Sequence, residues 1–247
     1  MNIYRTVLAY LKKKSLVAIK PWDRHAPSRS EDLFRRNHTL DVNKGELSSL
    51  RFYTGTGFTP INDHLRGKVY PETHVNFHNP DNIIGHIDNI DAAMDRSPLK
   101  TDVVLWRGMP AVKSHPIVTK LKELGGMVSK DGSTRYEYDK ALKLKGFTYK
   151  EHSYLSTSLN RSIGESFNAW PEIILKIEAK AGTQAIYIPG AQHLGPSVYD
   201  PSIKDVDSAE DGQKEFEVLL DRGLTYEVTN VIIKEKGNEL IVSVRVK

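Results

Sequence analysis

The chain contains no cysteine. A disulfide framework, a thiol nucleophile and a zinc–thiolate centre are therefore all excluded. No apolar run approaches the roughly 20 residues that a membrane-spanning helix needs, and there is no internal repeat or low-complexity tract. The opening MNIYRTVLAYLKKKSL places its lysines after a short apolar stretch, the reverse of a secretory signal, so no signal peptide is expected. The nine histidines are scattered without ligand spacing, and no metal site is expected. What is present suits a folded domain. At 247 residues, 39% hydrophobic and 27% charged, the chain can bury a substantial core and is neither disordered nor collagen-like. Its formal net charge of +4 is unevenly placed: residues 1–50 hold 10 Lys/Arg against 5 Asp/Glu, and the remainder is close to neutral. A basic arm of this kind is either a solvated extension or a docking surface for an acidic partner, anionic lipid or nucleic acid.

The hydrophobic periodicity divides the chain. Residues 1–44 read as a basic extension, with a short amphipathic helix marked by Ile3, Val7, Leu8 and Leu11. Residues 45–247 read as the main domain. GELSSLRFY is expected to be helical, GTG to break the helix, and Thr59-Pro60 to open the next turn. Asn79-Pro80 opens a further helix in which Ile83, Ile84, Ile87, Ile90 and Met94 recur at helical spacing until Ser97-Pro98. Past residue 100 the texture becomes strand-like: DVVLW, EIILKI, QAIYI, and Leu240 to Val246 with Val242, Val244 and Val246 on one face. Asp221-Arg222-Gly223 reads as a hairpin turn between two strands, and Ser162 to Glu165 as a capping box. Residues 125–150 and 190–213 read as long irregular loops. Helices first and strands after predict an α+β fold.

Three short motifs carry chemistry. In Glu215-Phe216-Glu217, strand alternation puts both carboxylates on one face, roughly 6–7 Å apart, with Phe216 toward the core. One carboxylate can stabilise a developing cation while the other steers or deprotonates a nucleophile; alone, such a pair on an edge strand serves solubility. Arg107-Gly108 leaves an apolar strand at a sheet end, where the guanidinium can clamp phosphate or carboxylate and the glycine admits a ligand to the backbone. Ser156-Thr157-Ser158 offers hydroxyls that can orient a carboxylate or meet a ribose, with no neighbouring base to make them nucleophiles.

In this order, with about 50 residues between the first two motifs and about 60 between the last two, they resemble the R-S-E class of mono-ADP-ribosyltransferases, of the exoenzyme and binary-toxin catalytic-domain type. LRFYTGTGFTPINDHLRG, HIDNIDAAMDRSPLKTDVVLWRGMP, YLSTSLNRSIGESF, IILKIEAKAGTQAIYIPG and EFEVLLDRGLTYEVTNV are similar to successive segments of that domain. The resemblance implies two antiparallel sheets packed roughly perpendicular, with N-terminal helices and NAD in the cleft as a substrate. It implies that Arg107 meets the NAD phosphates, that Gly108 holds the nicotinamide amide, and that Ser156 and Thr157 belong to the cofactor-binding strand. Ser156 would hold Glu217, Glu217 would bond the ribose and stabilise an oxocarbenium-like transition state, and Phe167 would pack on nicotinamide. Glu215 goes with arginine as acceptor in the family, so arginine of a target protein is the expected acceptor. Two departures stand out. Trp170 occupies a position where relatives often carry an arginine, leaving phosphate binding to Arg107 with Arg161 or Arg51. The stretch 190–213 is longer than the usual recognition loop, with Tyr199 as its candidate recognition aromatic. Other readings are an NAD glycohydrolase, a transferase acting on nucleic acid, and a non-catalytic binding module docked through the basic arm. A bacterial toxin or effector, or a phage enzyme, acting in the cytoplasm of a target or host cell and delivered by a partner through residues 1–44, is the expected setting.

Overall fold

Asn43 begins the first helix by accepting from the Glu46 N–H at 3.0 Å, while Glu46 accepts from the Asn43 N–H at 2.9 Å, a reciprocal cap that satisfies two otherwise orphaned donors. The structure is a computed structural model describing residues 42–68, 80–110, 115–130, 133–167, 173–188, 216–234 and 239–247. The N-terminal amphipathic helix, Asn79, Trp170, Tyr199, Glu215 and the 190–213 stretch lie outside the described residues.

Helix α1 (Lys44–Phe52) continues through a π turn (Tyr53–Gly57) into α2 (Phe58–Leu65), followed by α3 (Pro80–Asp95). The expected break at GTG is thus a π turn, and Pro60 falls inside the first turn of α2, where a missing N–H costs little. Ser97 closes α3 by donating to the Ala93 carbonyl at 2.7 Å. Beyond it come β1 (Val103–Met109), α4 (Pro116–Glu123), β2 (Met127–Lys130), β3 (Ser133–Tyr136), α5 (Tyr138–Ala141), a 3-10 turn (Leu142–Leu144), β4 (Thr148–Lys150) and β5 (Leu155–Ser158). The chain then forms α6 (Arg161–Ser166), β6 (Ile173–Ala179), β7 (Ala185–Tyr187), β8 (Glu217–Leu220), β9 (Thr225–Ile233) and β10 (Leu240–Val246). Among the described residues three helices precede the first strand, as expected, while the short helices α4, α5 and α6 fall among the strands. The segment 125–150, expected to be irregular, instead holds a short β2–β3 ladder, α5 and β4.

The main sheet runs β4-β9-β10-β6-β1-β5-β8-β7. Within this single eight-stranded sheet, the group of five strands (β4 to β1) and the group of three (β5, β8, β7) are joined through one register pair, Trp106 with Ser158. Neighbours are antiparallel except β6 and β10. Side chains of both groups share one core, including Leu105, Leu155, Leu175, Val218 and Leu220, with Val242, Val244 and Val246 on one face of β10 as the alternation predicts. The opposite face of the three-strand group meets the helices: Leu219, Ile186 and Tyr154 pack with Ile61, Ile87, Ile90 and Met94. Alternation along β8 and β5 sends odd and even positions to these two cores.

Two local readings are corrected. Asp221-Arg222-Gly223 is a tight turn with Gly223 at φ 78, yet β8 and β9 do not pair with each other. The turn carries the chain from one strand group to the other and is tied down by the Gly223 N–H donating to the Glu151 carbonyl at 2.7 Å. The cap of α6 is Asn160, two residues before the serine expected; its side chain accepts from the N–H groups of Ser162 and Ile163. Asn160 is the better cap because its own backbone is extended and held by Ser158 Oγ at 3.0 Å.

Candidate active site

Strands β1, β5 and β8 are neighbours, so three motifs far apart in sequence converge. Trp106 pairs with Ser158, and Ser158 with Glu217, forming one row across three strands. Arg107 follows Trp106, where no further β1–β5 pair forms among the described residues. Its guanidinium donates to the Ser156 carbonyl at this junction. Burial pulls the Arg107 pKa down, against the opposing fields of Tyr53 and Glu217. Glu217 opens β8 and is buried at 6% exposure, so its carboxylate sits in a protein-dominated field. Gly108 is buried beside Arg107, opposite Ile174 of β6.

Ser156 is half-buried, whereas Thr157 points to the opposite face and donates to the Val218 carbonyl at 2.5 Å. The Thr157 hydroxyl is engaged inside the sheet, where it braces β5 against β8. Phe167 caps the C-terminus of α6 and is half-buried. Phe216 has φ 47, so the backbone before Glu217 is not extended and strand alternation does not relate Glu215 to Glu217. Phe216 itself packs against the shared core, as expected.

The helix layer supplies residues that the sequence motifs do not mark. Tyr53, in the π turn, is 1% exposed. It accepts from Asn62 Nδ2 at 2.9 Å and donates toward the Tyr154 carbonyl at 3.4 Å. Burial pushes its phenol up to about 12, against hydrogen bonds from Asn62 and Ser156. Asn62 Oδ1 is buried and has no hydrogen-bond partner among the described residues, leaving an acceptor beside Tyr53. A polar residue beside the buried Ile61 in an otherwise amphipathic turn was the signal available in the sequence.

A cavity of about 490 Å³ adjoins Arg107, with Arg66, Lys68 and Lys150 adding cations and Glu151, His115 and His152 also in its wall. Glu151 is buried; burial works to raise its pKa, but hydrogen bonds from the Ser153 hydroxyl and N–H and the charge of Arg66 hold it below the usual range. Ser153 Oγ lies 2.7 Å and Arg66 3.3 Å from Glu151 Oε1. His115 caps α4, and burial drives its pKa down to about 4 against the pull of Glu151. Of the other arginines considered for phosphate, Arg161 lies 5.0 Å over the Trp106 ring and pairs with Glu165. Arg51 is half-buried, and its Nε has no partner among the described residues. Among the described residues no cluster of three or more His, Asp or Glu could hold a metal ion, and no helix is long and apolar enough to cross a membrane.

Arg107, the serine strand and the buried Glu217 thus stand on adjacent strands, with a helical layer packed on the opposite face of β5, β8 and β7. The chain belongs to the ADP-ribosyltransferase exoenzyme family, whose model matches residues 18–246. No curated protein matches it by sequence. Its fold is similar to that of an ADP-ribosyltransferase of Clostridium botulinum, with 19% identity, TM-score 0.60, and 91% of this chain and 98% of that one covered. The C3 exoenzyme of Clostridium limosum matches at 22% identity and TM-score 0.59 over 88% of this chain and 93% of that one. The ADP-ribosylating toxin BECa of C. perfringens, solved with NADH, matches at 20% identity and TM-score 0.61 over 88% of this chain, which spans 48% of that longer chain.

Proposed function

We propose that the chain transfers ADP-ribose from NAD to an arginine of a target protein. The observation that carries this reading is the meeting of Arg107, Ser156 and Glu217 on three neighbouring strands beside Tyr53. NAD enters with its diphosphate at the cationic cavity, where Arg66, Lys68 and Lys150 join Arg107 and supply the charge that Trp170 lacks. Nicotinamide lies toward Gly108 and Phe167. Glu217 bonds the adjacent ribose, and Ser156 and Tyr53 keep that end of the site ordered. The bond from ribose C1′ to the nicotinamide nitrogen breaks, its electron pair neutralises the pyridinium ring, and C1′ becomes an oxocarbenium ion. A preorganised carboxylate stabilises that cation more than it stabilises neutral ribose, so Glu217 lowers the barrier. A guanidine nitrogen of the target then attacks C1′, and its proton passes to Glu215. Residues 45–247 are the catalytic unit. Residues 1–44 dock a delivery partner or the target, Tyr199 contacts the target, and the enzyme acts as a toxin or effector in the cytoplasm of the cell it reaches.

The test is label transfer from tagged NAD to proteins of bacterial and animal lysates, wild type beside Glu217→Ala and Glu215→Gln. Discrete bands that disappear in Glu217→Ala and yield to an arginine-specific ADP-ribosyl hydrolase are expected. Glu215→Gln should lose those bands while keeping most NAD hydrolysis; equal loss of both activities would refute the division of roles. NAD consumption without any labelled macromolecule would make the chain a glycohydrolase, and label on nucleic acid would move the acceptor there.

A further inference from the structure

Helix α6 stands directly on the backbone of β1. A Cβ built on Gly164 would lie 2.5 Å from the Trp106 carbonyl oxygen and 2.7 Å from both its carbonyl carbon and its Cβ. The obstacle is main chain, which cannot swing aside as a flexible side chain can. Trp106 is the residue immediately before Arg107 and Gly108, and it sits in the same cross-strand row as Ser158 and Glu217. The start of α6 is fixed to that row as well. Ser158 Oγ accepts from the Asn160 N–H at 3.0 Å, and the Leu159 N–H donates to the Phe216 carbonyl at 3.2 Å, just ahead of Glu217. Arg161 then holds the outer side, 5.0 Å over the Trp106 ring and paired with Glu165 at 2.5 Å and Glu239 at 3.7 Å. Phe167 caps the far end of this helix.

From this seating we infer that Gly164 is a positioning residue: its missing side chain sets the distance between α6 and β1, and through it the placement of Phe167, at the far end of α6, relative to β1. The inference rests on the reading of this site as the place where NAD is cleaved. Any side chain at 164 must push α6 away from β1 by about 1 Å to restore ordinary carbon contacts. Displacement of that order at a reacting centre can cost on the order of a hundredfold in rate. The cationic cavity does not include α6, so ground-state binding through the phosphates stays intact.

The experiment compares NAD cleavage by wild type, Gly164→Ala, Glu217→Ala and Gly85→Ala. Gly85 lies on α3 with nothing within 4 Å of an added Cβ and serves as the helix control. Gly164→Ala is expected to keep the far-UV circular dichroism spectrum and a cooperative melt, to lose about tenfold to a hundredfold in kcat, and to leave KM for NAD nearly unchanged. Gly85→Ala should match wild type. Should Gly164→Ala fail to fold, Arg161→Met loosens α6 without a backbone collision and should show the same kcat-selective loss in smaller degree. Wild-type kcat in Gly164→Ala, a rise in KM alone, or an unchanged kcat in Arg161→Met would overturn the assignment while leaving the transferase reading in place. A wild type that cleaves no more NAD than Glu217→Ala would overturn both.

Discussion

Tyr53 is the residue through which the helix layer reaches the strand motifs. Its ring packs edge-on to Tyr154 at 5.6 Å, and its hydroxyl gathers Asn62 and Ser156. Tyr53→Phe keeps the ring and removes only the hydroxyl. Leaving the Asn62 donor without its partner should cost about 1 kcal/mol of stability. Catalysis should suffer more, since Ser156 and the Glu217 end of the site lose a fixed neighbour; about a tenfold fall in kcat/KM is the expected outcome, checked by NAD-cleavage kinetics beside chemical denaturation. An unchanged kcat/KM with the full stability loss would confine Tyr53 to packing. At this scale the sequence was legible in its unusual tripeptides: Arg107, Ser156 and Glu217, singled out as motifs, stand on adjacent strands. It was not legible where chemistry depends on a fold contact. Tyr53 and Asn62 look like ordinary residues of an amphipathic helix until the sheet is in place. The face shared by Glu215 and Glu217 rested on strand alternation, although Glu215 itself lies outside the described residues. That alternation assumes extended backbone, and Phe216 has a positive φ, a conformation that nothing about a phenylalanine announces.

Among the elements, the π turn shows how glycine can be required for packing without any turn being made. GTG looked like a helix break, yet the helix axis continues through it because Gly57 lies against Phe52. A Cβ there would fall 2.4 Å from the Phe52 ring and 2.7 Å from its carbonyl oxygen. Phe52 in turn stacks on His86 of α3 at 4.3 Å and has little room to retreat. Gly57→Ala should therefore destabilise the protein by about 1–3 kcal/mol despite the better helix propensity of alanine. Gly85→Ala, which meets nothing, should gain up to about 1 kcal/mol. Urea denaturation midpoints of the two variants check the contrast, and a stabilised Gly57→Ala would show that Phe52 yields freely. The same scale explains the misread hairpin. A two-strand pattern around Asp-Arg-Gly carries the local signature of a tight turn, and a tight turn with a left-handed glycine is what forms. Which strands then pair is decided by the two cores. Leu219 is drawn to the helix layer, while Val218 and Leu220 join the core shared by both strand groups. No local pattern encodes that choice.

Across the whole molecule, two half-buried titrating groups pull the acid stability in opposite directions. His115 sits between the five-strand group and α4, facing Glu151, Arg66 and Arg107, and burial lowers its pKa to about 4 from an ordinary 6.5. Between those values the unfolded chain binds a proton that the folded chain refuses. Stability from this group is therefore complete above about pH 6.5 and drains away as pH falls toward 4. Asp221, at the crossover turn near Asp91, Asp95 and Arg222, is raised from 3.8 to about 6, chiefly by burial. Here the folded chain binds the proton first, so acidification from pH 6 toward 3.8 restores stability that its ionisation had removed. The windows overlap and the two contributions offset, which flattens the profile above the range where Glu151 and Glu46, both held below the usual 4.5, begin to protonate. Removing either partner should expose the other. Asp221→Asn should lose stability steadily between pH 6.5 and 4.5. His115→Asn, which keeps a side chain suited to capping α4, should hold or gain stability over the same interval. Urea unfolding at half-unit pH steps reads both slopes, and parallel profiles for the two variants would show that neither group titrates with the environment its burial dictates. The opposition also bears on where the enzyme works. The cavity wall that carries His115 is the one that gathers Arg66, Lys68 and Lys150. Protonation of His115 would add charge to a surface already rich in cations, so NAD affinity and fold stability should respond with opposite signs to the same proton.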